Sequence, residues 1–274
     1  MKRAFTLVEL LVVIGILGVL MGTLIVSVAG STESARSAKC LSNMRSLATG
    51  CYNRAMEGGH YPLAASSETL SIDAHKLRQG KASTYKQHHP GWISRTESGS
   101  RPSAYGENFE EQYYCITNGS IWKAVGENTE VYVCPSHIKA GGRRPSWSYQ
   151  MNGFFGGDVN WDGKHASSKS MGDKSVRPDK RLLFAEMPFG DTNEPYDDTA
   201  IQYKDLKNAS ANEELAFNHK SGKRACAHVV FADCHVEKLL APRGGDGDLA
   251  EIMSWLCQGL DISFNGSDYE KLDN

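Results

Sequence analysis

The chain has 274 residues, 40% hydrophobic and 23% charged, with a formal net charge of −2. That length suits one folded domain, or two subdomains, beside any anchor. The mildly acidic balance argues against nucleic acid as a partner, because the Lys2-Arg3 and Arg143-Arg144 pairs are too short to form a basic patch.

From the N-terminus, Lys2 and Arg3 precede an apolar run, Phe5 to Ala29, whose one charged residue is Glu9. As a helix this run is long enough to cross a ~30 Å hydrocarbon layer. The basic residues on its N-terminal side keep the short tail in the cytoplasm and send the rest across. A cleaved signal peptide ending at Ser27-Val28-Ala29 is the first competing reading. It is opposed by the length of the run and by the carboxylate inside it. A simple membrane anchor fits the length but leaves Glu9 unexplained, since a carboxylate in lipid is costly unless paired. A buried helix of a soluble protein does not fit so long an apolar run.

After a small polar stretch, Leu41, Met44, Leu47, Ala48, Cys51, Tyr52 and Ala55 recur at helical spacing. One long helix is expected, broken or bent near Gly30 and ending at Gly58-Gly59. From Leu63 to Gly106 the pattern is weak. Pro62 to Leu70 reads as loop, His88-His89-Pro90-Gly91-Trp92 as a turn and Ser94 to Ser103 as exposed loop. A short helix is expected within Phe109–Trp122 and a strand over Glu130–Cys134, stopped by Pro135. Further strands are expected over Ser146–Met151 and Arg181–Ala185. Ala227–Asp233 and Cys234–Leu240 read as a hairpin. Ala250–Gln258 reads as a helix, and residues from Asn265 onward as a disordered tail.

Seven cysteines, Cys40, Cys51, Cys115, Cys134, Cys226, Cys234 and Cys257, face an oxidising exterior in this topology, where some should pair. Cys115 with Cys134 is the expected bridge. Cys40 and Cys51, on one helix and roughly 16 Å apart by rise, are too distant to join. No C-x-x-C or H-x-x-x-H pair signals zinc. Asp158, Asn160, Asp162 and Gly163 have the spacing of a calcium loop, but its twelfth position is Lys169 instead of an acid. A polar turn explains them at least as well. His219, His228, His235 and Asp233 invite a metal or catalytic reading, with His228 and His235 as cross-strand neighbours, against a surface hairpin with polar outer residues. Asp233 with Glu186 is a further carboxylate pair to test. Trp92, Trp122, Trp147, Trp161 and Trp255 line either a sugar-binding face or the core, and the core is the commoner place for them. No Gly-x-Ser-x-Gly, phosphate loop or His-Glu-x-x-His occurs, so no enzyme is expected.

Ala4-Phe5-Thr6-Leu7-Val8-Glu9-Leu10 resembles the start of type IV prepilins and type II secretion pseudopilins. The resemblance implies cleavage by a prepilin peptidase before Phe5, methylation of the new Phe5 amine, and a fifth mature residue, Glu9, that serves assembly with other pilin-like subunits. The family has Gly before the cut where this chain has Ala4. A second resemblance is to the prepilin-type processing-associated domain. It rests on Cys134-Pro135-Ser136, Ser148-Tyr149-Gln150-Met151-Asn152, Leu182–Glu186 and Asp233-Cys234-His235. His219 stands further from Asp233 than that pattern has it, and Cys234 replaces its Gly.

The expected fold is α+β: a long N-terminal helix, membrane-spanning in its first half, packed on an antiparallel sheet in a pilin-like arrangement. Residues 1–4 would be a cytoplasmic leader, 5–29 the transmembrane segment, 30–57 the amphipathic half-helix, 58–240 the exported domain and 241–274 a C-terminal helix and tail. The implied place is the bacterial inner membrane, single-pass, with the domain in the periplasm or at the cell surface. The expected function is a structural or assembly subunit of a filament or type II secretion-like system. The alternative is an anchored exterior binding module, calcium-dependent and glycan-directed.

Overall fold

A computed structural model of the chain describes residues 7–65, 67–72, 84–97, 104, 108–140, 145–156, 169–188, 199–201, 215–242, 249–264 and 269–271. With no proline to interrupt it, the N-terminal segment forms one helix, α1 (Leu7–Gly58). It is ~78 Å long at the standard rise. The expected break near Gly30 does not occur. The helix ends where Gly59, at φ +74°, donates its N–H to Ala55 O at 2.7 Å. Gly takes that left-handed geometry without the steric cost of a Cβ.

The two halves of α1 differ. From Leu7 to Met21 the large apolar side chains are exposed, Leu7 at 78% and Met21 at 64%. These described side chains cover about 22 Å of helix, less than a ~30 Å hydrocarbon layer. Among the described residues no helix is long and apolar enough to cross a membrane. Further along, Cys40, Met44, Leu47, Ala48, Cys51 and Ala55 are fully buried, which is the expected stripe. Tyr52 departs from it and stays 40% exposed.

The stripe lies on a six-stranded sheet of β3 (Tyr149–Asn152), β4 (Leu182–Glu186), β5 (Ala200–Ile201), β6 (His219–Ser221), β7 (Arg224–Phe231) and β8 (Val236–Leu240). All pairings are antiparallel except β3 with β5. β7 is central. One edge pairs with β4 and β6 in succession, and the other with β8.

Alternation along the strands sorts side chains between two cores. Tyr149, Met151, Phe184 and Val230 join the α1 stripe. Ala227, Val229 and Phe231 point the other way, to the C-terminal helix α4 (Leu249–Gln258), where Ile252, Met253, Leu256 and Cys257 are buried. A register shift between Leu182 and Phe184 breaks the alternation, so adjacent Leu183 and Phe184 both face α1. The C-terminal helix thus covers the second face of the same sheet.

Several expectations need correction. Glu130–Cys134 is not a strand. Asn128 Oδ1 accepts the Glu130 N–H at 2.9 Å and starts a 3-10 turn over Thr129–Tyr132. Pro135 then opens helix α3 (Pro135–Ala140) instead of only ending a strand, a first-turn position where its missing N–H costs nothing. Its neighbour α2 (Phe109–Thr117) is the expected short helix, capped by Asn108. The loop-like residues between Leu63 and Gly106 contain an antiparallel pair, β1 (Ser67–Ile72) with β2 (Thr84–His89), so His88 and His89 end a strand instead of forming a turn. The tail is also ordered in part. β9 (Ile262–Phe264) pairs with β10 (Tyr269–Lys271), and Tyr269 OH donates to Leu240 O at 3.1 Å.

Candidate functional site

Where α1 crosses the sheet, polar residues replace the apolar stripe. Glu33, Ser37 and Cys40 are spaced four and three apart and so share the face that continues into Met44 and Leu47. Opposite them, the period-two alternation that turns Phe184 and Val230 toward α1 also turns Glu186 and His228. His219, on β6, pairs with Cys226 of β7 and lies beside His228, the two rings stacked with centroids 4.0 Å apart. Cys134 and Ser136, at the start of α3, close the remaining side.

Glu186 is the centre. Its Oε1 lies 2.9 Å from His219 Nε2 and accepts from Cys40 Sγ at 3.1 Å. Its Oε2 accepts the His228 backbone N–H at 3.1 Å and lies 3.6 Å from His228 Nδ1. Cys134 Sγ approaches His219 Nε2 at 3.2 Å. The outer nitrogens of both imidazoles are held: His219 Nδ1 by Ser136 Oγ and Glu33 Oε1, each at 3.2 Å, and His228 Nε2 by Ser37 Oγ at 3.0 Å. His228 Nδ1 is buried without a hydrogen-bond partner. Cys40, Glu186, His219 and His228 are at most 1% exposed. Each offers one ligand atom, and these atoms lie within 4.8 Å of one another.

The charges compensate. Burial pushes the Glu186 carboxyl up, but the hydrogen bond and positive charge of His219, with His228 and Cys40, hold it below the usual carboxylate value. Burial pushes His219 down, and its bonds to Cys134 and Glu186 outweigh this and carry it to about 10. Burial lowers His228 to about 4, so it is neutral at pH 7. Burial also raises the Cys40 thiol well above its ordinary value. The Cys134 thiol is lowered, first by its hydrogen bond with Cys40 and then by His219. The result is an ion pair of Glu186 with a cationic His219, sealed between helix and sheet. Such a pair contributes little net stability, yet losing one partner is costly.

Among the residues singled out in the sequence, His219, His228 and Glu186 come together, while Asp233 and His235 do not join them. Asp233 accepts the His235 N–H within the β7–β8 turn, and His235 stacks on Phe231. His228 faces Lys238 in register, not His235. The surface-hairpin reading therefore fails for His219 and His228, and Asp233 is no partner of Glu186. The Cys115–Cys134 bridge is not formed: all seven cysteines are free, Cys115 lying on α2 and Cys134 against His219. Trp92 and Trp147 are fully buried, as the core reading expects, and Trp122 and Trp255 pack against core clusters. Ala4, Phe5, Trp161 and the candidate calcium residues Asp158, Asn160 and Asp162 lie outside the described residues. Glu9 is exposed in the first turn of α1, where the helix dipole favours an acid.

Sequence reasoning missed Cys40, Glu33 and Ser37 as members of the site. Their signal was present: three polar residues continue the buried stripe of an amphipathic helix, where apolar side chains are expected. Cys134, Ser136, Glu186 and His219, far apart in the sequence, also line the cluster.

In comparison with known proteins, residues 1–25 match the prokaryotic N-terminal methylation motif. This match supports a precursor of pilin or pseudopilin type. No curated protein and no solved structure matches the chain.

Proposed function

We propose that the chain is a pilin- or pseudopilin-type subunit of a cell-envelope filament or type II secretion-like assembly, without catalytic activity of its own. In this reading a prepilin peptidase cuts between Ala4 and Phe5 and the Phe5 amine is methylated. Residues 5–29 hold the product in the bacterial inner membrane, and the domain is exported. The observation that carries the reading is the continuity of α1. A bare apolar sleeve, Leu7 to Met21, passes without interruption into a half-helix fixed on a folded sheet. The sleeve gives neighbouring subunits or lipid an apolar surface, and the buried half transmits their position to the domain. The methylation motif at residues 1–25 supports the same reading.

Glu9 gives the reading its test. A carboxylate in lipid costs on the order of 2.5–3.5 kcal/mol at a helix centre and less near the interface, so a cation from a neighbouring subunit, such as the Phe5 amine, is the expected compensation in an assembly. Glu9→Ala should keep the protein in the membrane fraction and abolish its cross-links to other subunits. Mass spectrometry of the extracted protein should give a methylated Phe5 N-terminus. A mature terminus at Gly30, or unchanged cross-linking in Glu9→Ala, would overturn the reading.

One observation favours the binding-module alternative: a groove lined by Phe109, Tyr113, Ile116, Val133 and Pro145, with Phe109 67% and Tyr113 57% exposed. Aromatic faces of this kind suit sugar rings. Glycan binding lost in Tyr113→Ala would support that alternative, and its absence from wild-type protein would dismiss it.

A further inference from the structure

We propose that Cys40, Glu186, His219 and His228 form a binding site for a zinc-like divalent metal ion that staples the N-terminal helix to the sheet. Three features of the cluster carry this beyond a buried hydrogen-bond network.

The first is spacing. Donors around a tetrahedral zinc, with bonds of 2.0–2.3 Å, stand about 3.3–3.8 Å apart. Here Glu186 Oε1 lies 2.9 Å from His219 Nε2 and 3.1 Å from Cys40 Sγ, its Oε2 lies 3.6 Å from His228 Nδ1, and the four donor atoms all lie within 4.8 Å of one another. Small side-chain shifts bring all four donors onto one ion.

The second is the outer layer. A metal-bound imidazole almost always donates its far N–H to an oxygen, and a carboxylate is a common partner. His219 Nδ1 meets Glu33 Oε1 and Ser136 Oγ, and His228 Nε2 meets Ser37 Oγ. Both rings are thereby oriented with their inner nitrogens toward Glu186. The inner nitrogen of His228 is buried without a hydrogen-bond partner, which leaves it open to a ligand.

The third is charge. A divalent ion with the Cys40 thiolate, the Glu186 carboxylate and two neutral imidazoles sums to zero, as a site sealed from water requires. On binding, the Cys40 thiol proton and the proton on His219 Nε2 leave to solvent. One sulfur, two nitrogens and one oxygen suit zinc better than calcium or magnesium, which take oxygen ligands. Cys40 comes from α1 and the other three ligands from β4, β6 and β7. Metal binding would therefore resist a pull on α1 relative to the domain.

The test uses the full-length protein in detergent, purified in reductant without chelator. Metal analysis should give about one zinc per chain. Stripping and then replacing zinc should lower and restore the unfolding temperature by several degrees. Cobalt substituted for zinc should show tetrahedral d–d bands and a thiolate-to-cobalt charge-transfer band. Cys40→Ser should abolish the charge-transfer band, and His228→Gln should weaken zinc binding. Glu33→Gln or Ser37→Ala, in the outer layer, should weaken zinc binding about 10–100-fold. Cys115→Ser is the control and should change neither the zinc content nor the cobalt spectrum. Should the ligand variants fail to fold, the wild-type cobalt spectrum and the outer-layer variants still decide. Absence of metal together with no response to added zinc would overturn the proposal, as would zinc binding unchanged in Cys40→Ser. A Cys40–Cys134 disulfide in the extracted protein would also overturn it, because the sulfur would then be consumed. Loss of zinc in Cys134→Ser but not in His228→Gln would overturn the donor set.

Discussion

Asn152 offers a sharp test of how the two cores are tied together. It is fully buried at the end of β3. Its Nδ2 donates to Leu182 O at 2.9 Å and to Cys257 O at 3.0 Å, and its Oδ1 accepts the Phe154 N–H at 3.0 Å. One amide thus joins β3, β4 and the end of α4. Asn152→Leu is close in volume and removes all three bonds. Cys257 O keeps the Arg181 guanidinium at 2.7 Å, whereas Leu182 O and Phe154 N–H lose their side-chain partner. At roughly 1 kcal/mol per net bond and more for an orphaned group, the loss should be about 3 kcal/mol. For a protein of this size that corresponds to an unfolding temperature lower by about 6–12 °C. Asn152→Asp keeps the acceptor for Phe154 but turns a carboxylate toward two carbonyls in a buried place, so it should be worse than Asn152→Leu. Thermal and urea unfolding of the two variants beside wild type measures both the size and the order. A loss under about 1 kcal/mol for Asn152→Leu, or an Asp variant more stable than the Leu variant, would refute the argument.

Three further outcomes are expected. Gly119→Ala should destabilise by about 3 kcal/mol or more in urea unfolding, because the new Cβ would stand 2.2 Å from Trp92 O, a backbone atom that cannot swing away. Cys234 lies in the β7–β8 turn at φ +72°, where Gly avoids the strain that a Cβ brings. Cys234→Gly should therefore be more stable than Cys234→Ala by about 1 kcal/mol, compared by thermal unfolding since both lack the thiol. Burial lowers His137 to about 4, against the pull of Glu186. The folded protein keeps this imidazole neutral while the unfolded chain takes up a proton below pH ~6.5. Its contribution is therefore complete above that pH and is lost as the pH falls toward 4, about 3 kcal/mol in all. His137→Gln should flatten urea-derived stability against pH over that window by about one proton.

The hairpin illustrates what was legible. Ala227–Asp233 and Cys234–Leu240 alternate and carry β-branched residues, and they fold as β7 and β8 with Asp233 in the turn. The departure of Cys234 from the glycine of the resembled pattern was visible too, but its strain was not, because φ is set by the closed hairpin. Glu130–Cys134 shows the opposite. Its Val-Tyr-Val pattern is that of a strand, yet all of Val131, Tyr132, Val133 and Cys134 are buried, and the Asn128 cap and Pro135 wind the segment into two short helical turns. Alternation is informative where one face meets water and loses its meaning where every side meets protein.

Local order along the chain determined the long apolar helix, the acid near its start, the amphipathic stripe from Leu41 to Ala55, and strands over Arg181–Ala185, Ala227–Asp233 and Cys234–Leu240, which the fold trims to Leu182–Glu186, Arg224–Phe231 and Val236–Leu240. These follow from periodicities of 3.6 and 2, which adjacent residues impose on one another. Only the tertiary structure decided that Glu33, Ser37 and Cys40 of the helix meet Cys134, Glu186, His219 and His228. Those residues come from four separate elements and the loop before α3, none carrying a local ligand motif. Their proximity arises because the helix stripe and the inward face of the sheet must bury each other, and the polar residues at matching heights on both surfaces are buried with them.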